Sequence, residues 1–234
     1  MPKDLTGLLE GALAFDANIN TWEIDPEDTI TNMISGTTLL NDELFGFTSS
    51  EPEVSNFNKP ICLNKGTKIL CYKNNEEVYI PVEELKRGDL VKTYKHGYKP
   101  IYMISKGVFT LSAKGTMGMY KMKKTKTMIS DLEMTGLHAQ LIDEDDEKYK
   151  KDQEKQESKV ICYNKQSDKY NPEKVYIDDK YRLLSQYSRN FKKMPEDKYE
   201  IYSFSLDEKL QYGIWANGLL VETTSQRTMK LASK

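Results

Sequence analysis

The stretch "NKPICLNKGTKIL", residues 58–70, divides the chain into two textures. Residues 1–61 hold 11 Asp and Glu against 2 Lys, a net charge of −9. Residues 62–234 hold 25 Asp and Glu against 32 Lys and Arg, a net +7, so the whole chain carries −2. The sign of the charge changes at Cys62. That residue is one of three cysteines in 234 residues, with Cys71 and Cys162. Taken alone, Cys62 has four readings: a small buried hydrophobe, a metal ligand, half of a disulfide, or a nucleophile. The rest of the sequence has to choose among them.

Downstream of Thr67 the sequence breaks into many short strand-like runs. "TKILCY", "EVYIPVEEL", "DLVKTY", "KPIYMISKGVF", "HAQLID", "YRLLSQY", "YEIYSFSL", "QYGIWA" and "GLLVET" are rich in β-branched and aromatic residues. Turns such as "KRGD", "HGYKP" and "ANG" punctuate them, which indicates an all-β domain. Within it Cys71 and Cys162, in "KILCY" and "KVICY", read as packed strand residues. His96 in "YKHGYK" reads as an exposed turn residue, and Trp22 and Trp215 as packing residues. Met117, Met119 and Met122 read as flexible fillers or surface residues. The charge run of residues 143–159, "DEDDEKYKKDQEKQESK", has no apolar face. It reads as a solvated loop or hairpin tip, with a short exposed helix as the other option.

Upstream, residues 1–20 read as a short amphipathic helix with Leu5, Leu8, Leu9 and Leu13 on one face. Residues 21–57 read as acidic loop, ordered against a protein partner if at all. The start of the chain has no basic segment followed by an apolar core, so it is not a secretory signal. No apolar run reaches the ~18 residues of a membrane-spanning helix. The odd cysteine count, without any CxxC pair and with only His96 and His138 as nitrogen donors, argues against a disulfide scaffold and a zinc site. No metal and no cofactor are expected, and an intracellular, cytoplasmic setting is. Lysines interleaved with glutamates make a solvated surface a better reading than a nucleic-acid patch.

Three short motifs stand in order along the β-rich part. The first is Cys62-Leu63 with Thr67 five residues beyond the cysteine. The second is Thr135-Gly136-Leu137-His138. The third is "EIYSFSL…YGIWANGLLVET", which contains Asn217-Gly218. Each alone is weak, since TxxH is short and Asn-Gly is an ordinary hairpin turn. Together, over about residues 62–225, they resemble the Hint family of inteins and Hedgehog autoprocessing domains. The closing block is also similar to free-standing Hint proteins encoded by large DNA viruses.

The resemblance implies an all-β, horseshoe-like Hint fold of many short strands with pseudo-twofold symmetry, over residues 62–234. A partly helical acidic segment, residues 1–61, would precede it. It also implies chemistry at the Ile61–Cys62 bond. Cys62 would attack the Ile61 carbonyl and turn the amide into a thioester. Cysteine suits this because sulfur is strongly nucleophilic and a few per cent is thiolate at neutral pH. His138 would protonate the departing nitrogen. Thr135 would bond the scissile amide or hold the imidazole, and Thr67, Asn217 and Gly218 would support the site.

Two departures limit that chemistry. An intein ends in His-Asn before Cys, Ser or Thr, whereas here Glu222-Thr223 precede Thr224. Without the cyclising Asn, full splicing is not expected, and the thioester falls to water or to an external thiol, amine or hydroxyl. Ser203 stands in "IYSF" where the family has an Asp, which removes a candidate general base. A second reading stays open: a Hint scaffold without activity that serves as an interaction protein, such as a component of a virus particle.

Overall fold

The computed structural model describes residues 61–110, 118–195 and 197–225. The expected N-terminal helix and acidic loop, Trp22 and Met117 lie outside these residues. The described part is all-β, as the short strand-like runs predict. Its strands form two sheets whose paired strands are antiparallel.

The first sheet runs β12-β7-β8-β1-β13-β6. These are β1 Leu63–Asn64, β6 Met103–Thr110, β7 Met119–Met122, β8 Leu132–Thr135, β12 Phe191–Lys193 and β13 Lys198–Ser205. The second runs β10-β11-β9-β15-β14-β2-β4-β5, with β3 paired to β2. Its strands are β2 Lys68–Lys73, β3 Glu76–Pro81, β4 Leu90–Lys92, β5 Tyr98–Pro100, β9 Ala139–Ile142, β10 Tyr176–Ile177, β11 Lys180–Leu184, β14 Gly213–Ala216 and β15 Leu219–Glu222. Alternation drives the pairing: in β2 Ile69 and Cys71 are buried in the core while Lys68, Leu70 and Tyr72 on the other face are exposed or half-buried. A shared core of Leu63, Ile69, Val91, Leu132, Met134, Ile214 and Val221 joins residues of both sheets. Each such side chain contributes roughly 1.5–3 kcal/mol by leaving water.

Three hairpins close through two-residue loops with both φ positive: Asn74-Asn75, Asp178-Asp179 and Asn217-Gly218. That is the type I′ turn, whose twist matches the flanking strands. Asn217 also ties the scaffold together. Its side chain accepts from Lys68 N at 2.7 Å and donates to Asp131 O at 2.7 Å. At Gly218 (φ +86°) an added Cβ would stand 2.7 Å from Thr127 O and 3.0 Å from Met128 Cα, both backbone atoms. Gly218→Ala is therefore expected to cost about 2 kcal/mol or more. Gly107→Ala, whose Cβ would meet Ile201 Cγ1 at 3.8 Å, serves as the mild control. Thermal melts of the two variants check this, and equal melting temperatures would count against it.

The charge run departs from its reading as a loop or hairpin tip. A 3-10 turn, Glu147–Tyr149, leads into helix α1, Lys150–Glu157, in which Asp152 and Gln156 are buried. Gln156 works as a piece of strand. Its amide donates to Arg182 O at 2.8 Å and its Oε1 accepts from Leu184 N at 2.8 Å, pairing groups of β11. Asp152 accepts from the Arg189 backbone at 3.0 Å. The helix is anchored by polar side chains, so it leaves no apolar periodicity. Cys162 also departs from its reading. It lies half-exposed in the 3-10 turn Ile161–Tyr163, where Tyr163 is the buried residue, just before helix α2, Pro172–Val175. Met119 and Met122 are buried fillers, not surface residues.

Candidate active site at the Ile61–Cys62 bond

The register of the first sheet assembles the site. Leu63 on β1 faces Met134 on β8 and Tyr202 on β13. One step back along the chain, antiparallel geometry places Cys62 between Thr135 and Ser203. The β8 side continues the ladder, with Thr135 N donating to Cys62 O at 3.0 Å. The Cys62 N–H donates to Thr135 Oγ1 at 3.1 Å. On the β13 side Ser203 Oγ donates to Ile61 O at 2.9 Å. The amide joining Ile61 to Cys62 is thus held at both polar ends by hydroxyls from two neighbouring strands.

His138 reaches the same place through a turn. Its N–H donates to Thr135 O at 2.9 Å, so T-x-x-H is a β-turn closed from first to fourth residue. The turn is pinned by Gly136 N to Gly118 O, Gln186 N to Gly136 O and Ser185 Oγ to Thr135 O. Gly136 fits because a Cβ there would stand 2.8 Å from the Tyr120 ring. The imidazole is buried, with Nδ1 3.1 Å from Cys62 O and Nε2 2.9 Å from Glu222 O. Burial lowers its pKa; the Glu222 carboxylate and the two carbonyls act in the opposite direction. A neutral ring carries one N–H and donates to one of the carbonyls, whereas the protonated ring donates to both.

Glu222 forms the floor. Its carboxylate is fully buried against Arg182, with Arg182 Nε to Oε2 at 2.8 Å, and its Oε1 accepts from Ala139 N at 2.8 Å. Arg182 also donates to Lys174 O at 2.6 Å. Burial works to lower the guanidinium pKa, but the Glu222 carboxylate, helped by Tyr163 and Cys162, holds it above its usual value.

The thiol is buried against Met119 and Ile201. Burial pushes its pKa up to about 12, and a hydrogen bond with Ser203 works against that rise. Such a thiol is almost wholly neutral at pH 7.

The structure therefore brings together four of the residues singled out in the sequence: Ile61, Cys62, Thr135 and His138. Thr67, Asn217 and Gly218, expected as supporting residues, are scaffold residues. Thr67 closes a turn with Asn64 and accepts from Val82 N at 2.7 Å, while Asn217 and Gly218 make the β14–β15 turn. Thr135 bonds the scissile nitrogen, one of the two roles expected of it, and His138 bonds the carbonyl of Cys62, one peptide unit further on. Ser203, Glu222 and Arg182 enter the site from the structure. The sequence signal for Arg182 is a charge inside the otherwise strand-like run "KYRLLS".

No family model and no curated protein matches the chain. Among solved structures, the gp41-1 intein is similar at 12% identity and a TM-score of 0.35, over 70% of this chain and 98% of the intein. Among the described residues, no helix is long and apolar enough to cross a membrane. No group of three or more His, Cys, Asp or Glu side chains among them is placed to hold a metal ion.

Proposed function

We propose that residues 62–234 are a Hint-type autoprocessing domain that cleaves the Ile61–Cys62 bond. The observation that carries this reading is the grip on that single amide: its oxygen on Ser203 and its nitrogen on Thr135. In the reaction, sulfur adds to the Ile61 carbonyl carbon, the C–N bond breaks, and the nitrogen leaves with a proton. A thioester on Ile61 remains, with a free amino group on Cys62. Water, or an external thiol, amine or hydroxyl, then resolves the thioester.

The other end of the chain supports cleavage without splicing. At Glu222-Thr223 there is no Asn side chain to cyclise, and the Glu222 carboxylate is consumed by Arg182 and Ala139 N. A second reading, an inactive scaffold, is favoured by one observation: the thiol is buried and held far above neutral pH.

Intact mass measured on freshly translated chain separates the two. The autoprocessing reading expects fragments of 61 and 173 residues, with dithiothreitol or hydroxylamine raising the yield. Cys62→Ala is expected to give the 234-residue chain alone. A wild-type chain that stays whole with and without thiol would establish the scaffold reading.

A further inference from the structure

The autoprocessing reading leaves a chemical problem: a buried neutral thiol must become a nucleophile. The usual solution is a base beside it. Here the carboxylate of Glu222, whose backbone carbonyl meets His138, is already bound to Arg182 and Ala139 N. His138 is directed at the carbonyls of Cys62 and Glu222. Ser203 stands at both reacting partners. Its hydroxyl donates to Ile61 O at 2.9 Å, the β1–β13 register sets it opposite Cys62, and it lowers the thiol pKa against the rise that burial causes. A hydroxyl carries one proton and two lone pairs, so one that gives its proton to the carbonyl keeps lone pairs able to accept another.

Resting on the autoprocessing reading, we propose that Ser203 is a catalytic proton relay, which takes the proton of the Cys62 thiol while passing its own to the Ile61 carbonyl oxygen. The bookkeeping of atoms is closed. Sulfur forms a bond to the carbonyl carbon, the thiol proton moves to Ser203 Oγ, and the former Ser203 proton ends on the Ile61 oxygen. The product is a neutral tetrahedral adduct with hydroxyl, sulfur and nitrogen on one carbon, and Ser203 is again a hydroxyl. On collapse the C–N bond breaks, the adduct hydroxyl loses its proton as the carbonyl re-forms, and the nitrogen gains one. Net, a single proton has moved from sulfur to nitrogen, and no co-reactant is used.

The relay avoids two anions, a thiolate and an alkoxide, each costly where the thiol is buried. It also gives a purpose to a serine in the place where the Hint family has an acidic residue. A carboxylate there would act by holding the proton; a hydroxyl acts by passing it on. The strand register makes this available, because Ser203 follows Tyr202, the partner of Leu63, just as Cys62 precedes Leu63.

The test measures thioester formation in the full chain, trapped with excess dithiothreitol and read by intact mass from pH 6 to 9. Three chains are compared: wild type, Ser203→Ala and Ser203→Thr. The wild-type rate is expected to be nearly flat with pH, since no ionisation of the thiol precedes attack. Ser203→Ala is expected to be slower by about 100-fold or more at pH 7. It should also gain a slope of about tenfold per pH unit, because it depends on the scarce thiolate. Ser203→Thr keeps the hydroxyl and is expected to stay within about tenfold of wild type with a flat profile. Melting temperatures in a Cys62→Ala background show whether each variant folds. If Ser203→Ala cleaves like wild type with the same profile, the relay is wrong and the autoprocessing reading survives. If both variants fold and fail equally, the hydroxyl is not what matters and the relay is likewise wrong. If wild type yields no fragments at any pH, the autoprocessing reading itself falls and the relay with it.

Discussion

Arg182→Met is expected to destabilise the β-domain by roughly 3–5 kcal/mol, the usual cost of removing one partner from a buried ion pair. The cost lies in what is left behind. The Glu222 carboxylate is fully buried; among the described residues, without Arg182 its Oε1 keeps the Ala139 N–H at 2.8 Å and its Oε2 keeps the Gln211 amide at 3.4 Å. Those neutral donors do not replace a guanidinium. A domain of ordinary stability holds about 5–15 kcal/mol in total, so the loss takes a large share of it. The damage also reaches chemistry, because the same residue's backbone carbonyl meets His138 Nε2. Adding Glu222→Gln to Arg182→Met removes the stranded charge and is expected to recover part of the loss. Urea unfolding of the single and double variants gives the comparison. A single variant as stable as wild type would mean that water reaches the carboxylate.

The strands were legible because their signal is local. "KILCYK" alternates, "GIWANGLLVE" carries its own Asn-Gly turn, and both form the hairpins that pattern dictates. The Asn74-Asn75 and Asp178-Asp179 turns follow the same chemistry, since Asn and Asp tolerate positive φ, and their Asx-Asx pairs are visible in the sequence. Helix α1 was not legible as a packed element, because it docks through Asp152 and Gln156, one turn apart, and not through apolar residues. The candidate site was half legible. Cys62, Thr135 and His138 are separated by motifs with fixed spacing, and the β-turn explains why that spacing works. Ser203 read as the absence of a base, because a sequence shows which residue is missing from a pattern more readily than what the replacement touches. Arg182 and Glu222 are 40 positions apart, and their pairing depends on the placement of β9 between β11 and β15. No local pattern encodes that.

His138→Gln is expected to slow cleavage by about 10²–10⁴-fold, the range for loss of a positioned acid–base group. The imidazole occupies a narrow place between two carbonyls, 3.1 Å from Cys62 O and 2.9 Å from Glu222 O. It fixes the residue that carries the nucleophile to the C-terminal strand, and it stands one carbonyl away from the nitrogen that must be protonated. A glutamine amide can donate to one of those carbonyls but cannot change its charge. That difference gives a second readout in stability against pH. Burial holds the folded-state pKa of His138 below its ordinary value near 6.5, while the unfolded ring keeps that value. Between the two the unfolded chain binds more protons, so stability rises with pH there. The stability is complete above the unfolded pKa and drains away as pH falls through it toward the folded pKa. In a Cys62→Ala background, which keeps the chain whole, the melting temperature is expected to fall from pH 7.5 to 5.5 more steeply with His138 than with glutamine. Equal slopes would show that folding leaves the imidazole pKa unshifted and would overturn the burial effect; a steeper fall with glutamine would show that the ring is already protonated at neutral pH and bonded to both carbonyls, and the roles assigned to its proton would have to be reversed.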